Sequence, residues 1–452
     1  MKRLFSRLGC LVVAAALASA CGSDNNNNNG GGGGGNVVNV TPNMDQSAIS
    51  AAFSGAAANS TVQFAAGTYH LTGSLNLSTA NNVTVKGAGM DQTILDFAGQ
   101  TTGADGLVQT IGAGQTIQVT FQDLAIQDTA GDGIKVTGGN KVHFNHVKVS
   151  WPTRATHGGY GIYPVQSKNI LVENCVVSGA SDTGIYVGQS DTIVVKNNEL
   201  FENVAGIEIE NSFNADVLDN NSHDNTVGFL VFDLPSLQQV GGNHIRVFNN
   251  QFVNNNTPNF GDPAGTVALV PAGTGGAVMA NHDVEVFGNT FTGNKTIGFS
   301  AISCLVAFEQ STCLQGATQG YSPIPRNVHV HTNTFTNNGT DPTAGIDNPS
   351  HPSAQLAGLL ASGFQGAHPW LDNHVSDVSW DGIVVLGSGA NPYSICSHDN
   401  GSGHFANLHF AQWAAGQAMS PTPVPLGDYL TFDETDFACT LPALPAVTLP
   451  TF

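Results

Sequence analysis

Glu208 and Glu210 stand one residue apart in the stretch GIEIENS. On an extended strand such residues share a face, about 6–7 Å apart at the backbone, so both carboxylates project the same way. That pair can act as general acid and as base or nucleophile in glycoside cleavage. It can equally take Ca²⁺ as a cofactor together with Asp233 and amide oxygens.

Sister stretches enlarge the set. Tyr163 in GIYPVQS, Tyr186 in GIYVGQS and Lys135 in GDGIKV occupy the place of Glu208, while Gln189, Asn211 and Asp233 follow at the strand ends. Aromatic rings cover the apolar faces of sugars and amides or acids take the hydroxyls, so these residues suit a polysaccharide or oligosaccharide. Trp151, Arg154 and His157 fall in the longer interval before Tyr163, from which a loop can bring them over the same face. The plainer reading is solvated glutamates and shielding tyrosines on a soluble strand.

A repeat positions these residues. Gly161, Gly184, Gly206 and Gly228 lead equivalent stretches at intervals of 23, 22 and 22 residues, and Gly133 precedes them by 28. Each glycine opens an apolar/outer alternation whose inward members form one column: Ile134 and Val136, Ile162 and Pro164, Ile185 and Val187, Ile207 and Ile209, Phe229 and Val231. Coils of parallel strands lie about 4.8 Å apart, so equivalent outer residues touch. Pro164 lacks a ladder donor and predicts a local bulge. A second series places Asn198, Asn221, Asn250, Asn289 and Asn333 at equivalent corners, where an inward amide can bond its neighbours above and below. Its widening spacing predicts loops at residues 257–276, 303–326 and 338–371.

These motifs resemble right-handed parallel β-helix proteins over roughly residues 61–387. The runs YGIYPVQS, SDTGIYVGQS, NVAGIEIENS and GFLVFDLP are closest to an exported or lipid-anchored β-helix group of unassigned activity. More distantly the chain resembles pectate-lyase-like carbohydrate enzymes and the periplasmic β-helix proteins of copper-centre assembly. The resemblance implies an all-β, single-stranded solenoid, and its carbohydrate-active members imply polysaccharide lyase, hydrolase or epimerase chemistry as one alternative. A non-catalytic periplasmic assembly or metal-handling scaffold is another. GDGIKV is similar to a polygalacturonase strand motif but has Lys135 where an acid belongs, and the Asp-Pro-His-Asp signature of alginate epimerases is missing.

The flanks speak of export. Lys2, Arg3 and Arg7 precede an apolar run from Leu11 to Leu17 and then Ala18, Ser19, Ala20 and Cys21, so residues 1–20 read as a signal peptide. The end of that segment resembles a bacterial lipobox, which makes Cys21 the lipidation site and 21–35, with its Asn and Gly runs, a tether. A cell-envelope location follows, anchored through lipid only or secreted. Residues 36–60 are expected to be an N-terminal cap with a helix starting near Thr41-Pro42, and 388–452 a C-terminal cap and extended tail.

Composition agrees. Fifty-four glycines and only 10% charged residues suit short strands and tight turns, and a net charge of −20 disfavours nucleic acid. A monomer is expected. Cys304 with Cys313 and Cys396 with Cys439 are plausible disulfides in an oxidising compartment, while Cys175 lies in an apolar run as an inert thiol. His329 and His331 alternate on one strand and could offer two metal ligands, but no third is evident and corner or surface roles are expected for them and for His223-Asp224, His282-Asp283 and His398-Asp399.

Overall fold

Strands built on the repeat pair in parallel from coil to coil. The computed structural model describes residues 36–112, 115–365, 374–384 and 388–452; the expected signal peptide, the expected lipidation site Cys21 and the expected tether lie outside the described residues. An eleven-stranded sheet runs from Gly73–Asn76 to Phe405–Asn407, and a twenty-stranded sheet forms the rest of the wall. The strand Asn140–Ser150 pairs with both Lys168–Glu173 and Val176–Ser178, so the larger sheet turns a corner within each coil. The result is a parallel β-helix.

The inward column is as the alternation predicts. Ile134, Ile162, Ile185, Ile207 and Phe229 align in register and are buried. Each such side chain contributes about 1.5–3 kcal/mol by leaving water. Phe252, Phe291 and Phe335 add a stack with centroids 5.1 and 4.8 Å apart. The bulge expected at Pro164 does not form. Its strand, Tyr160–Val165, keeps Ile162 opposite Ile134 and Ile185, and Val165 opposite Thr137 and Gly188.

The corner ladder begins Asn198, Asn220, Asn250, Asn289, Asn333, and the amide bonds between neighbours run 2.9–3.0 Å up to Asn333. Asn220 replaces the expected Asn221. The left-handed residue at that corner is Asp219 (φ 54°), and the residue after it turns inward. The ladder continues to Asn400, and a second one, unseen in the sequence, joins Asn203, Asn225, Asn255, Asn294 and Asn338. Both follow one rule: a left-handed residue, then an inward asparagine that bonds the next coil.

Strands extend past the 61–387 span at both ends. Val37–Val40 pairs with Thr61–Phe64, and Ile395–His398 and Phe405–Asn407 add later rungs. The capping helix is Gln46–Ser54, not a helix from Thr41, because Asp45 accepts the Ala48 amide at 2.8 Å and so sets its N-terminus. The first insertion stops at residue 273, since Gly276 belongs to the strand Thr274–Met279. Among the described residues no helix is long and apolar enough to cross a membrane.

Both expected disulfides are present, and Cys175 is buried and free. Beyond Cys439 the tail runs back along the outside of the larger sheet. Leu444 donates its amide to Glu285, Val447 to Asp216, and Lys141 reaches the Thr451 carbonyl at 3.0 Å. Asp216, Arg246 and Glu285 are successive members of one outer column, so three residues of extended tail cover two coil steps.

Candidate functional site

The outer face of the eleven-stranded sheet holds the proposed residues in the order foreseen. Lys135 pairs with Tyr163, and Tyr186 with Glu208, then Leu230; Gly188 pairs with Glu210, then Phe232. At Tyr186 and the glutamates this face is covered rather than open to solvent, while Lys135 and Tyr163 stay half-buried. Tyr186 is 4% exposed, Glu208 5% and Glu210 8%, so solvated surface charge does not describe these glutamates.

Gly188 explains how Tyr186 meets Glu210. The ring lies along its own strand where a side chain at 188 would stand, since a Cβ there would overlap the phenol. The hydroxyl thereby reaches Oε2 of Glu210 on the next coil. Glu208 instead accepts from Thr183 Oγ1 at 2.9 Å, and the same hydroxyl lies 3.0 Å from Asp182 Oδ1. A hydroxyl carries one proton, so both contacts close as hydrogen bonds only when one carboxyl is protonated.

The electrostatics agree. Burial, reinforced by Glu210 and Asp182, holds Glu208 well above the usual carboxylate range. Burial pushes Glu210 up to about 7 although the Tyr186 bond pulls the other way. Asp182 rises to about 6 through burial, offset in part by Thr183 and Tyr160. Glu208, Glu210 and Asp182 therefore share protons near neutral pH.

Residues that the alternation alone overlooked complete the site. Tyr160 sits one place before Gly161, and its ring lies 4.5 Å from Tyr163 and 4.6 Å from Tyr186; Tyr163 and Tyr186 are 5.0 Å apart. Asp132 holds the Tyr160 amide at 3.2 Å and the Lys135 ammonium at 3.2 Å. Lys135 in turn stands 4.7 Å above the Tyr163 ring. Burial and then Asp132 push the Tyr163 phenol up to about 12. The signal that could have found them is their position: Asp132, Tyr160 and Thr183 each precede the repeat glycine.

Other expected participants are engaged elsewhere. Trp151 is buried and donates to the Thr129 carbonyl at 2.9 Å; Arg154 donates to Asp128 O at 2.9 Å and Phe97 O at 3.4 Å; His157 bonds the Gly179 carbonyl at 2.6 Å. These three brace a corner and are not brought to the glutamate pair. Asn211 spends its amide on Leu234 and on the Gln239 carbonyl, which clamps residues 234–239 at the strand ends. Gln189 lies at a left-handed corner, φ 51°. Asp233 is fully buried, accepts the Gly241 amide at 2.8 Å and titrates at about 7 because of burial.

The Ca²⁺ set of Glu208, Glu210 and Asp233 is not assembled. Among the described residues, the acids, histidines and cysteines whose ligand atoms converge in a group of three or more are Glu285, His329 and His331. Farther along the same face, Phe232, Ala277, Met279 and Ser300 border an apolar cavity of about 350 Å³ beneath the helix Pro352–Phe364. It adjoins the glutamates through Phe232 and does not contain them.

A family model described as "Right handed beta helix region" matches residues 106–265, which contain the tyrosines and carboxylates from Asp132 to Asp233. The chain is a right-handed parallel β-helix repeat protein. Among solved structures it is similar to the A-module of the mannuronan C-5 epimerase AlgE4 of Azotobacter vinelandii, at 18% identity and TM-score 0.44, over 68% of this chain and 87% of that one. It is also similar to the catalytic unit of a GH87 alpha-1,3-glucanase from Streptomyces thermodiastaticus strain HF3-3, at 18% identity and TM-score 0.45, over 78% and 51%. DFA-IIIase from Arthrobacter chlorophenolicus A6 matches at 13% identity and TM-score 0.45, over 67% and 81%. No curated protein sequence matches the chain.

Proposed function

We propose that this protein is an exported, lipid-anchored component of a bacterial cell envelope that binds a carbohydrate on the tyrosine face of its β-helix. The observation that carries the reading is the joint packing of Tyr160, Tyr163 and Tyr186 against carboxyls that keep protons near neutral pH. Phenol rings offer flat apolar cover to a sugar, and protonated carboxyls donate as well as accept hydrogen bonds toward its hydroxyls. Tyr160, Tyr163 and Lys135 are the half-buried members, so a ligand meets them first. A glycan array with the purified chain tests the reading. Binding that falls tenfold or more in Tyr163→Ala and Tyr160→Ala supports it; a folded wild-type protein that binds no glycan overturns it.

A second reading has its own support. Glu210, titrating at about 7, suits a general acid, and Glu208 beside it suits the partner carboxyl of a polysaccharide hydrolase, lyase or epimerase. Product analysis with Glu208→Gln and Glu210→Gln separates the two. Turnover lost in either variant while glycan binding persists favours catalysis, and unchanged turnover removes the pair from the mechanism.

A further inference from the structure

We propose that Glu285, His329, His331 and His398 form a binding site for one divalent transition-metal ion of the zinc class, on the larger sheet and separate from the tyrosine face. Three neighbouring strands bring them together. Glu285 on His282–Phe287 pairs with His329 on Arg326–His331, and His331 pairs with His398 on Ile395–His398. Glu285 and His329 thus adjoin in one outer column, and His331 and His398 adjoin in the next.

The donor atoms converge. Those of Glu285, His329 and His331 lie within 4.8 Å of one another, with His331 Nε2 3.1 Å from Glu285 Oε1. His398 Nε2 stands 2.8 Å from His329 Nε2. Bonds of about 2.1 Å in a tetrahedral site put ligand atoms about 3.4 Å apart, so an ion enters by opening the 2.8 and 3.1 Å contacts, with His398 turning in from beside His329 to complete the set of three.

The outer contacts fix which nitrogen faces inward. His398 Nδ1 is held by Asp399 Oδ2 at 2.9 Å and His331 Nδ1 by Thr332 Oγ1 at 3.2 Å, which turns both Nε2 atoms to the centre. Glu285 Oε2 accepts the Leu444 amide at 3.0 Å, so the tail orients the carboxylate and leaves Oε1 on the cluster side. His329 is 6% exposed, and its Nδ1 has no hydrogen-bond partner, an unusual state for a buried imidazole. Lone pairs and a carboxylate turned on one point repel each other unless a cation or a proton lies between them. Three imidazoles and one carboxylate suit zinc, copper or nickel, and are too poor in oxygen for Ca²⁺ or Mg²⁺.

A cleft of about 330 Å³, lined by Asp283, Glu285, Asn327, His329 and the tail residues Leu441 to Leu444, opens beside the cluster and gives an ion its path.

The test uses the full chain and zinc alone. Equilibrium dialysis with metal analysis is expected to find one equivalent bound, and His329→Gln with His398→Gln to weaken it about 100-fold or more. His223→Gln, which alters a surface histidine paired with Asp224, leaves binding unchanged. X-ray absorption of the zinc-loaded wild type reads the site without any variant: imidazole scattering and a first shell at about 2.0–2.1 Å are expected. A folded wild type that takes up no stoichiometric zinc, a spectrum without imidazole, or a folded double variant that binds as tightly as wild type overturns the proposal.

Discussion

Tyr186 delivers its hydroxyl to Glu210 across Gly188, a position kept free of any side chain. Three residues on two coils thus act as one unit, and the glycine is as necessary as the two polar groups. Gly188→Ala is expected to displace the phenol and leave Glu210 unpaired, costing about 1–3 kcal/mol. Tyr186→Phe should cost a similar amount while keeping the ring in place. Denaturant melts of both variants check this; an unchanged midpoint in Gly188→Ala would show that the phenol does not need the space.

Stability should fall as pH rises. Glu210 and Asp233 titrate at about 7 in the folded chain, against ordinary values of 4.5 and 3.8. The folded state therefore holds more protons than the unfolded state between roughly pH 4 and 7, and ∂ΔG/∂pH is negative there. At about 1.4 kcal/mol per unit the loss is at most about 3 kcal/mol for Glu210 and about 4 kcal/mol for Asp233, complete about one unit above pH 7. Thermal melts should show a lower Tm at pH 8 than at pH 5, with a smaller difference in Glu210→Gln. A Tm that rises over this range contradicts the argument.

The asparagine ladder separates two adjacent residues. Asn220 accepts from Asn198 and donates to the Val195 carbonyl and to Asn250, all buried. Asn220→Ala should cost about 3 kcal/mol, because several partners lose their bonds at once. Asn221→Ala, at the half-buried start of the strand Asn221–His223 that follows this corner, should stay within about 0.5 kcal/mol. Equal effects on the unfolding midpoint would reverse the assignment.

The two disulfides close chain segments of different length. Their separations are 9 and 43 residues, which the chain-entropy account converts to about 2.6 and about 4 kcal/mol. Replacing Cys396 and Cys439 by serine should therefore destabilise more than replacing Cys304 and Cys313. It should also loosen the tail that runs over Glu285, which proteolysis near residue 440 would detect.

Local pattern carried most of the fold. A glycine every 22 or 23 residues followed by apolar alternation is legible because each coil repeats the same local solution, and Tyr163, Tyr186, Glu208 and Glu210 inherit their shared face from strand pairing alone. Pattern also misled by one residue at Asn221, since an Asn-Asn pair at a corner does not say which member turns inward. That choice belongs to the left-handed residue at 219.

What the chain could not show on its own depends on distance in sequence. The glutamates are buried, with Thr183 and the Tyr186 phenol bonded to them from the preceding coil, and their raised titration follows from that burial rather than from their spacing. Trp151, Arg154 and His157 lie near the face in sequence yet brace a corner, because carbonyls at 97, 128, 129 and 179 are closer to them in space. His398 stands 69 residues from His329, and the insertion between their coils hides the pair from any periodicity. Sequence determines which residues a coil presents; only stacking, insertions and the returning tail decide which of them meet.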